Sequence, residues 1–310
     1  MSKQLRIVFM GTPEFAVASL DKLCMSSHEL VGVVTVADKA AGRGQQISMS
    51  AVKKYAGEKG LKVLQPEKLR DEHFLSELKE LNADLFVVVA FRMLPEVVWT
   101  MPPLGTINLH GSLLPMYRGA APINHAVMNG EKETGVTTFF LQHEIDTGKV
   151  IRRTVIPIGA DETAGELHDK MMQIGADTLL ETVNLIASGD AQARSQEEML
   201  KPGEDVKTAP KIFKEDCEID WEKPVEEVYN FIRGLSPYPA AWTTFGDKTL
   251  KIFSGEKIRH SSKPPEAYQT DGKNFLRIRC ADGYISLKDI QIEGKKRMSV
   301  EDFLRGWRST

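Results

Sequence analysis

Apolar strand-like runs alternate with helical segments through the first half of the chain, and this alternation restricts the fold more than any other feature. The clearest runs are LRIVFMG (5–11), ELVGVVTV (29–36) and ADLFVVVAF (83–91), and segments with helical spacing lie between them. Strands that are apolar nearly throughout are buried on both faces, which is typical of a parallel sheet with helices on either side. We therefore predict a doubly wound, mainly parallel α/β sheet.

The C-terminal third has a different pattern. Its runs AAWTTFG, LKIFSG, FLRIRC and YISLKDIQI are short and are separated by Gly and Asp, which indicates a small all-β domain. The preceding residues are polar and contain Gly and Pro, as linkers do. The predicted organisation is a first domain over residues 1–189, a linker over 190–207 and a second domain over 208–310.

Hydropathy and cysteine content narrow the class of protein. The longest apolar run, DLFVVVAF, is far shorter than the ~18 residues of a membrane span. The N-terminus lacks the long apolar core and the small-residue cleavage site of a signal peptide. The three cysteines, Cys24, Cys217 and Cys280, are scattered and form neither a zinc spacing nor CxxC. We expect a cytoplasmic protein that uses no metal.

Charge is unevenly distributed along the chain. From residue 248 to 310 there are 14 Lys and Arg against 8 Asp and Glu, whereas residues 1–247 hold 26 against 35. A basic segment can bind a polyanion such as a nucleic acid. It can equally be a solvated basic face, and charge alone leaves both interpretations open.

The stretch GTINLHG (105–111) places an amide and an imidazole at the carboxyl end of a predicted strand. Ligands of open parallel sheets bind at such ends. Asn108 and His110 are two residues apart, so both side chains lie on one face of the strand. An amide beside an imidazole can stabilise an oxyanion and move a proton. The alternative is a structural histidine and an amide that caps a turn.

Two further segments carry candidate residues. In HEIDTG (143–148), Asp146 lies in a short connection where its carboxylate could orient His110, or could simply hydrogen-bond its own turn. In SLLPMYRG (112–119), two apolar side chains and a proline could line a slot for a flat ligand, or form only an ordered connection. The roles of Tyr117 and Arg118 stay open.

Two nucleotide-binding motifs are missing from the sequence. The first turn, FMGTPEF (9–15), lacks GxGxxG, which argues against an NAD enzyme, and no GxxxxGK[ST] P-loop is present. The GRG segment (42–44) could contact phosphate through its Arg, although a solvated turn explains it equally well.

Taken together, these segments resemble the folate-dependent formyltransferases. The resemblance covers almost the whole chain: FMGTPEFAV at the start, AGRG in a loop, NLHGSLLPMYRGAAPIN (108–124), LQHEIDTGKVI (141–151) and a C-terminal β domain. Within the family, the chain is most similar to members that formylate the methionyl initiator tRNA used in translation initiation. The resemblance implies a Rossmann-like formyltransferase domain followed by an OB-like β-barrel that binds tRNA.

The resemblance also implies roles for individual residues. The catalytic set would be Asn108, His110 and Asp146. The donor would be 10-formyltetrahydrofolate, bound along Ser112, Leu113, Leu114 and Pro115. Arg43 matches an Arg that approaches the tRNA acceptor end; the other candidate tRNA contacts, chosen for charge, are Lys39, Lys295, Lys296 and Arg297. We expect a monomer.

Two other functions fit parts of the sequence. A relative that formylates an amino-sugar nucleotide or another small amine would share the same site, but the GRG segment and the basic tail favour tRNA. A non-catalytic RNA-binding protein on the same scaffold would not need the Asn108, His110 and Asp146 set.

Overall fold

The computed structural model describes residues 3–41, 46–201, 203–261 and 263–306. Its strands are, in chain order, β1 (Arg6–Gly11), β2 (Glu29–Val34), β3 (Lys39–Ala41), β4 (Gln46–Ser48), β5 (Val63–Leu64), β6 (Leu85–Val89), β7 (Thr106–His110), β8 (Arg118–Gly119), β9 (Glu133–Phe140), β10 (Val150–Pro157), β11 (Thr208–Ala209), β12 (Ala241–Phe245), β13 (Lys248–Arg259), β14 (Tyr268–Thr270), β15 (Leu276–Cys280), β16 (Gly283–Ile292) and β17 (Met298–Ser299).

The helices follow the sequence pattern in most places. They are α1 (Glu14–Cys24), α2 (Ala51–Glu58), α3 (Glu72–Glu80), α4 (Glu96–Trp99), α5 (Pro122–Met128), α6 (Ala164–Ser188), α7 (Val225–Leu235) and α8 (Val300–Gly306), with 3₁₀ turns at Glu197–Met199 and Glu215–Cys217. Among the described helices, none combines the length and the hydropathy that a bilayer crossing needs.

The predicted mainly parallel sheet is confirmed. Seven strands lie in the order β10-β9-β7-β6-β1-β2-β5. The pairs β1–β2, β1–β6, β2–β5 and β6–β7 are parallel, and β7–β9 is antiparallel. From β1 the chain adds strands first on one side, β2 and β5, and then on the other, β6 and β7, so helices cover both faces. The carboxyl ends of β1, β6 and β7 share one edge of the sheet.

Continuous apolar strands form the centre of this sheet because they are buried on both faces. Every residue of β6 is buried, and so are all but the first residue of β1. Helix α1 buries one side through Phe15, Leu20 and Leu23, at the spacing that an amphipathic helix requires. The apolar pattern therefore determines which strands are central, and the site strand β7 pairs directly with β6.

Two short strands, β3 and β4, lie on either side of the GRG segment, where the sequence indicates a loop. Strand β3 pairs antiparallel with β4, with Lys39 opposite Ser48 and Ala41 opposite Gln46. Three-residue strands are held by backbone hydrogen bonds and need no alternation of apolar side chains, so the sequence carried no signal for them.

The C-terminal third contains short strands, as predicted, and they pair in an antiparallel sheet. Its strands lie in the order β12-β13-β16-β15-β14, and β17 pairs with β16. The rings of Phe245 at the end of β12 and Tyr268 at the start of β14 meet edge to face, with centroids 6.4 Å apart. The contact brings the two edge strands of the sheet together, as a barrel-like curl requires.

The prediction that this third is all-β was wrong, because α7 and α8 pack on the sheet. The apolar side chains of α7 recur at Val225, Val228, Ile232 and Leu235, and all four are buried. They share one core with residues of β13 and β16. The 3–4 residue spacing of these side chains is a helical signal in the sequence, but a weaker one than the strand pattern around it.

The described residues group into two compact units, each made of separate stretches of chain. The first unit comprises Met1–Gly119, Gly135–Ile156 and His168–Thr208, and the second comprises Ala120–Thr134, Pro157–Leu167 and Ala209–Thr310. The segment predicted as a linker, 190–207, falls within the first unit by this grouping. The predicted domain boundaries at 189 and 208 stay a prediction.

Candidate active site

Strand β7 holds Asn108 and His110 at the carboxyl edge of the sheet. Asn108 lies between Val88 of β6 and Phe139 of β9, and His110 lies opposite Thr137 of β9. Two residues apart on one strand, both side chains project from the same face. Neighbours on both sides fix the backbone at this point, so the strand presents an amide and an imidazole from a rigid support.

The His110 imidazole is buried and has a defined orientation. Its Nε2 lies 2.8 Å from the backbone carbonyl oxygen of Tyr117. A carbonyl oxygen only accepts, so Nε2 carries a hydrogen and donates it to Tyr117. The opposite nitrogen, Nδ1, lies 3.8 Å from Oδ2 of Asp146. Nδ1 is therefore the nitrogen that faces the carboxylate and is available to a reacting group.

Asp146 brings a nearly buried carboxylate to the same place. Its Oδ2 accepts a hydrogen bond of 3.0 Å from the backbone N–H of Gly119. The gap of 3.8 Å to His110 is too long for a hydrogen bond, but it is close enough for the carboxylate to stabilise an imidazolium. The structure thus brings Asp146 and His110 together, although they lie far apart along the chain.

The amide of Asn108 is only partly buried, and its side chain makes no hydrogen bond within the part of the chain that the structure describes. Such a group can donate to an incoming oxygen without first breaking a bond inside the protein. Asn108, His110 and Asp146 therefore supply a free donor, an oriented imidazole and a carboxylate at one edge of the sheet.

The loop SLLP is ordered by contacts with β9 and β10. The Ser112 hydroxyl donates to the carbonyl of Met116 at 2.6 Å. Thr137 Oγ1 donates to the carbonyl of Ser112 at 2.6 Å and accepts from the N–H of Leu114 at 3.1 Å. Arg153 donates to the carbonyl of Leu114 at 3.1 Å.

The side chains of this loop differ in exposure. Ser112, Leu114 and Pro115 are buried, and Leu113 is partly exposed. Leu114 packs in a small core with Phe139 and Val150. Contact of these four residues with a folate stays a prediction, and Leu113 is the one whose side chain is accessible.

The loop that carries Asp146 has a constrained backbone. Asp146 itself has a φ of 55°, a left-handed conformation that Asp tolerates better than most residues. A Cβ atom on Gly148 would lie 1.6 Å from the carbonyl oxygen of Phe140. Glycine is therefore required at this position, which explains the Asp-Thr-Gly order.

Sequence reasoning missed Gln196, which lies in the predicted linker and is 1% exposed. Its Nε2 donates to the carbonyls of Asp146 and Gly148, both at 2.8 Å. Its Oε1 accepts from Nε and Nη2 of Arg118, at 3.0 and 2.7 Å. No sequence signal marked Gln196, because a polar stretch gives no sign of which of its side chains is buried.

Tyr117 and Arg118, whose roles the sequence left open, both contact this part of the structure. The backbone of Tyr117, at a φ of 60°, donates to the carbonyl of Lys207 at 2.6 Å and accepts from His110. The guanidinium of Arg118 is bound by Gln196. Tyr117 thus orients the imidazole through its carbonyl, and Arg118 has a partner within the protein.

The candidate tRNA contacts have different surroundings. Lys39, Lys295 and Lys296 are exposed. Arg297 forms an ion pair with Asp289 at 2.5 Å, and its guanidinium lies 4.1 Å from the centre of the Phe253 ring. Arg43 lies outside the described residues. Binding of tRNA by any of the five stays a prediction, and so does the absence of a metal.

Comparison with known proteins gives two family matches. A model of the formyl transferase family matches residues 5–183, and a model of the formyl transferase C-terminal domain matches residues 211–308. Together the two matches cover most of the chain, and the first contains the candidate catalytic set.

Curated proteins named methionyl-tRNA formyltransferase are similar to this chain along nearly its whole length. The protein from Bacteroides fragilis is 53% identical over 314 residues, covering 99% of this chain and 97% of that protein. The one from Bacteroides thetaiotaomicron is 54% identical over 312 residues, with the same coverage.

Among solved structures, an N-formyltransferase from Helicobacter canadensis, in complex with folinic acid and dTDP-3-aminofucose, matches with a TM-score of 0.67. It is 20% identical, and the match covers 92% of this chain and 98% of that one. This likeness establishes the fold.

Proposed function

The chain belongs to the formyl transferase family, and from this premise we propose that it transfers a formyl group from 10-formyltetrahydrofolate to methionyl initiator tRNA. The acceptor is the α-amino group of methionine, and the product is N-formylmethionyl-tRNA for translation initiation. The observation that carries this proposal is the near-complete alignment, at 53% identity, with relatives of that one activity.

The residues at the end of β7 fit such a reaction. The donor supplies a formyl carbon that an amine can attack, and attack places negative charge on the formyl oxygen. Collapse of this oxyanion breaks the bond between the formyl carbon and N10 of the folate, and tetrahydrofolate leaves with the proton that the amine gives up. Asn108 offers an N–H with no other partner among the described residues, on the same strand face as His110. Donors arranged in advance for a developing oxyanion typically contribute ~10²–10³ in rate each.

His110 has the second role in this scheme. Its Nε2 is committed to the Tyr117 carbonyl, so Nδ1 is the nitrogen that donates to the oxyanion or takes a proton from the attacking amine. Asp146, 3.8 Å away, stabilises the imidazolium form of His110 and keeps Nδ1 directed at the reaction. The chemistry requires neither a covalent intermediate nor a metal.

Several finer assignments belong to the same proposal. Ser112 to Pro115 form one side of the donor site, with Leu113 as the accessible contact. Lys39, Arg43, Lys295, Lys296 and Arg297 bind tRNA phosphates, an interaction that weakens as salt concentration rises. The protein acts as a monomer in the cytoplasm, where charged tRNA is made and used.

The direct test is formyl transfer by the purified protein. Initiator tRNA charged with methionine, the same tRNA without methionine, and a nucleotide-linked amino sugar are each incubated with 10-formyltetrahydrofolate. We expect formylation of the charged tRNA alone. Formylation of the amino sugar without formylation of the tRNA would instead assign the protein to the sugar-modifying branch, and failure with all three acceptors would reject both.

A further inference from the structure

The side chain of Gln196 joins two segments that converge on the candidate active site. We propose that Gln196 is a positioning residue: its amide holds the Asp146 loop against Arg118, so that the Asp146 carboxylate stays beside His110. The inference rests on the proposed function, because it assigns Asp146 a part in the formyl transfer.

The hydrogen-bonding capacity of Gln196 is fully used. Two N–H groups donate to the carbonyls of Asp146 and Gly148, and one oxygen accepts two N–H groups from Arg118. The side chain is 1% exposed, so water does not substitute for these partners. A primary amide is the side-chain group that supplies two donors and an acceptor of this kind, which gives a chemical reason for Gln at this position.

The two segments that Gln196 joins are also the two partners of another hydrogen bond. Asp146 Oδ2 accepts from the N–H of Gly119, and Gly119 directly follows Arg118. Gln196 thus fixes the backbone of Asp146 through Nε2. Through Oε1 it fixes the side chain of Arg118, the residue before Gly119. The four groups form a closed ring, and opening it at Gln196 leaves the carboxylate with more freedom relative to His110.

The loop itself supplies little packing for Asp146. Its residues Gln142, His143, Glu144 and Ile145 are exposed, and Asp146 has a left-handed backbone. Conformations of this kind persist where the surroundings over-determine them. A fixed pair of bonds to the carbonyls on either side of Thr147 provides such a constraint, and misplacing a catalytic group by about 1 Å can cost ~10²-fold in rate.

The first test substitutes Gln196 in the full-length protein. Gln196→Met keeps the approximate size of the side chain and removes all four hydrogen bonds. Gln196→Glu still accepts from Arg118, but a carboxylate oxygen cannot donate to the carbonyls of Asp146 and Gly148. We expect kcat to fall about 10- to 100-fold in both variants, with KM for the folate donor and for charged tRNA within about twofold of wild type. Gln192→Met, at an exposed glutamine of the same segment, is the matched control and should leave kcat unchanged.

The second test asks whether Gln196 acts through Asp146. In an Asp146→Ala background, followed in single turnovers with excess enzyme, Gln196→Met should lower the rate by less than about twofold, because the group it positions is gone. An equal loss in both backgrounds, a change confined to KM, or full activity of Gln196→Glu would overturn the proposal. Failure of both Gln196 variants to fold would assign the residue to the fold alone and would also overturn it.

These outcomes are separate from failure of the proposed function. If wild-type protein formylates charged tRNA and Gln196→Met does so equally fast, only the positioning role is rejected. If the wild-type protein transfers no formyl group to charged tRNA, the proposed function itself fails.

Discussion

The candidate catalytic set is held in two different ways. Asn108 and His110 belong to β7, whose backbone is hydrogen-bonded to β6 on one side and β9 on the other. Asp146 belongs to an exposed loop between β9 and β10 and is fixed by the N–H of Gly119 and by a side chain 50 residues further along the chain. The first half of the site rests on regular secondary structure, and the second rests on individual long-range contacts.

The difference shows where such a site is vulnerable. Regular strand pairing tolerates changes at single side chains because each backbone bond is supported by its neighbours. A loop fixed by a few polar contacts loses its geometry when one contact is removed. We therefore expect substitutions on β7 to act on chemistry directly, and substitutions around Asp146 to act on geometry first.

The largest effect is expected at the strand-held half of the site, which consists of Asn108 and His110. His110→Ala should lower kcat about 10³- to 10⁴-fold, because it removes both an oxyanion donor and the group that moves a proton. Single-turnover formyl transfer to charged tRNA measures it. His143→Ala, which removes an exposed histidine from the Asp146 loop, is the control and should be silent. A loss below about tenfold for His110→Ala would mean that β7 has only a structural role, and the two halves of the site would then not differ as described.

The next largest effect is expected in the backbone of the loop-held half of the site, which is the loop that carries Asp146. Gly148→Ala should lower the free energy of unfolding by about 3 kcal/mol or more, because the new Cβ would meet the Phe140 carbonyl oxygen at 1.6 Å. Urea denaturation gives the change. Gly57→Ala, in the last turn of α2 with open space around it, should be neutral or stabilising by up to about 1 kcal/mol. Equal stability of the two variants would mean that the loop adapts freely.

Asn108 sharpens the comparison within the strand-held half. Asn108→Ala should lower kcat about 10²-fold with little change in KM, because the amide acts on charge that develops only in the transition state. The isosteric Asn108→Asp should be slower still, since a carboxylate repels the oxyanion. An Asp variant as active as wild type would exclude a donor role for this side chain.

The smallest effects are expected for the exposed cations of the C-terminal third, which belong to neither half of the catalytic site. Lys295→Ala and Lys296→Ala should each weaken tRNA binding about threefold and reduce the slope of affinity against salt by about one. Arg297→Ala should matter less for tRNA, because Asp289 and Phe253 already engage the guanidinium. Binding titrations at several salt concentrations decide; an unchanged slope in all three would remove these residues from the tRNA contact.

Much of the fold was readable from the chain because local pattern and burial coincide in a parallel sheet. The apolar runs located β1, β2 and β6, and the strand period of two placed Asn108 and His110 on one face. Helix α7 carries its own helical spacing, but it stands beside the stronger strand pattern of the same third. The pair of strands β3 and β4 carried no such pattern, because backbone pairing alone maintains it.

What could be predicted of the site differs between its strand-held and loop-held halves. The sequence alone determined the chemistry on offer: an amide, an imidazole and a carboxylate, the first two on one strand. Only the tertiary structure decided that His110 donates to Tyr117 and turns Nδ1 toward Asp146, and that Gln196 joins Asp146 to Arg118. The physical reason is that periodicity reports burial over neighbouring residues, whereas a hydrogen bond across 50 residues depends on how the chain returns to the same place.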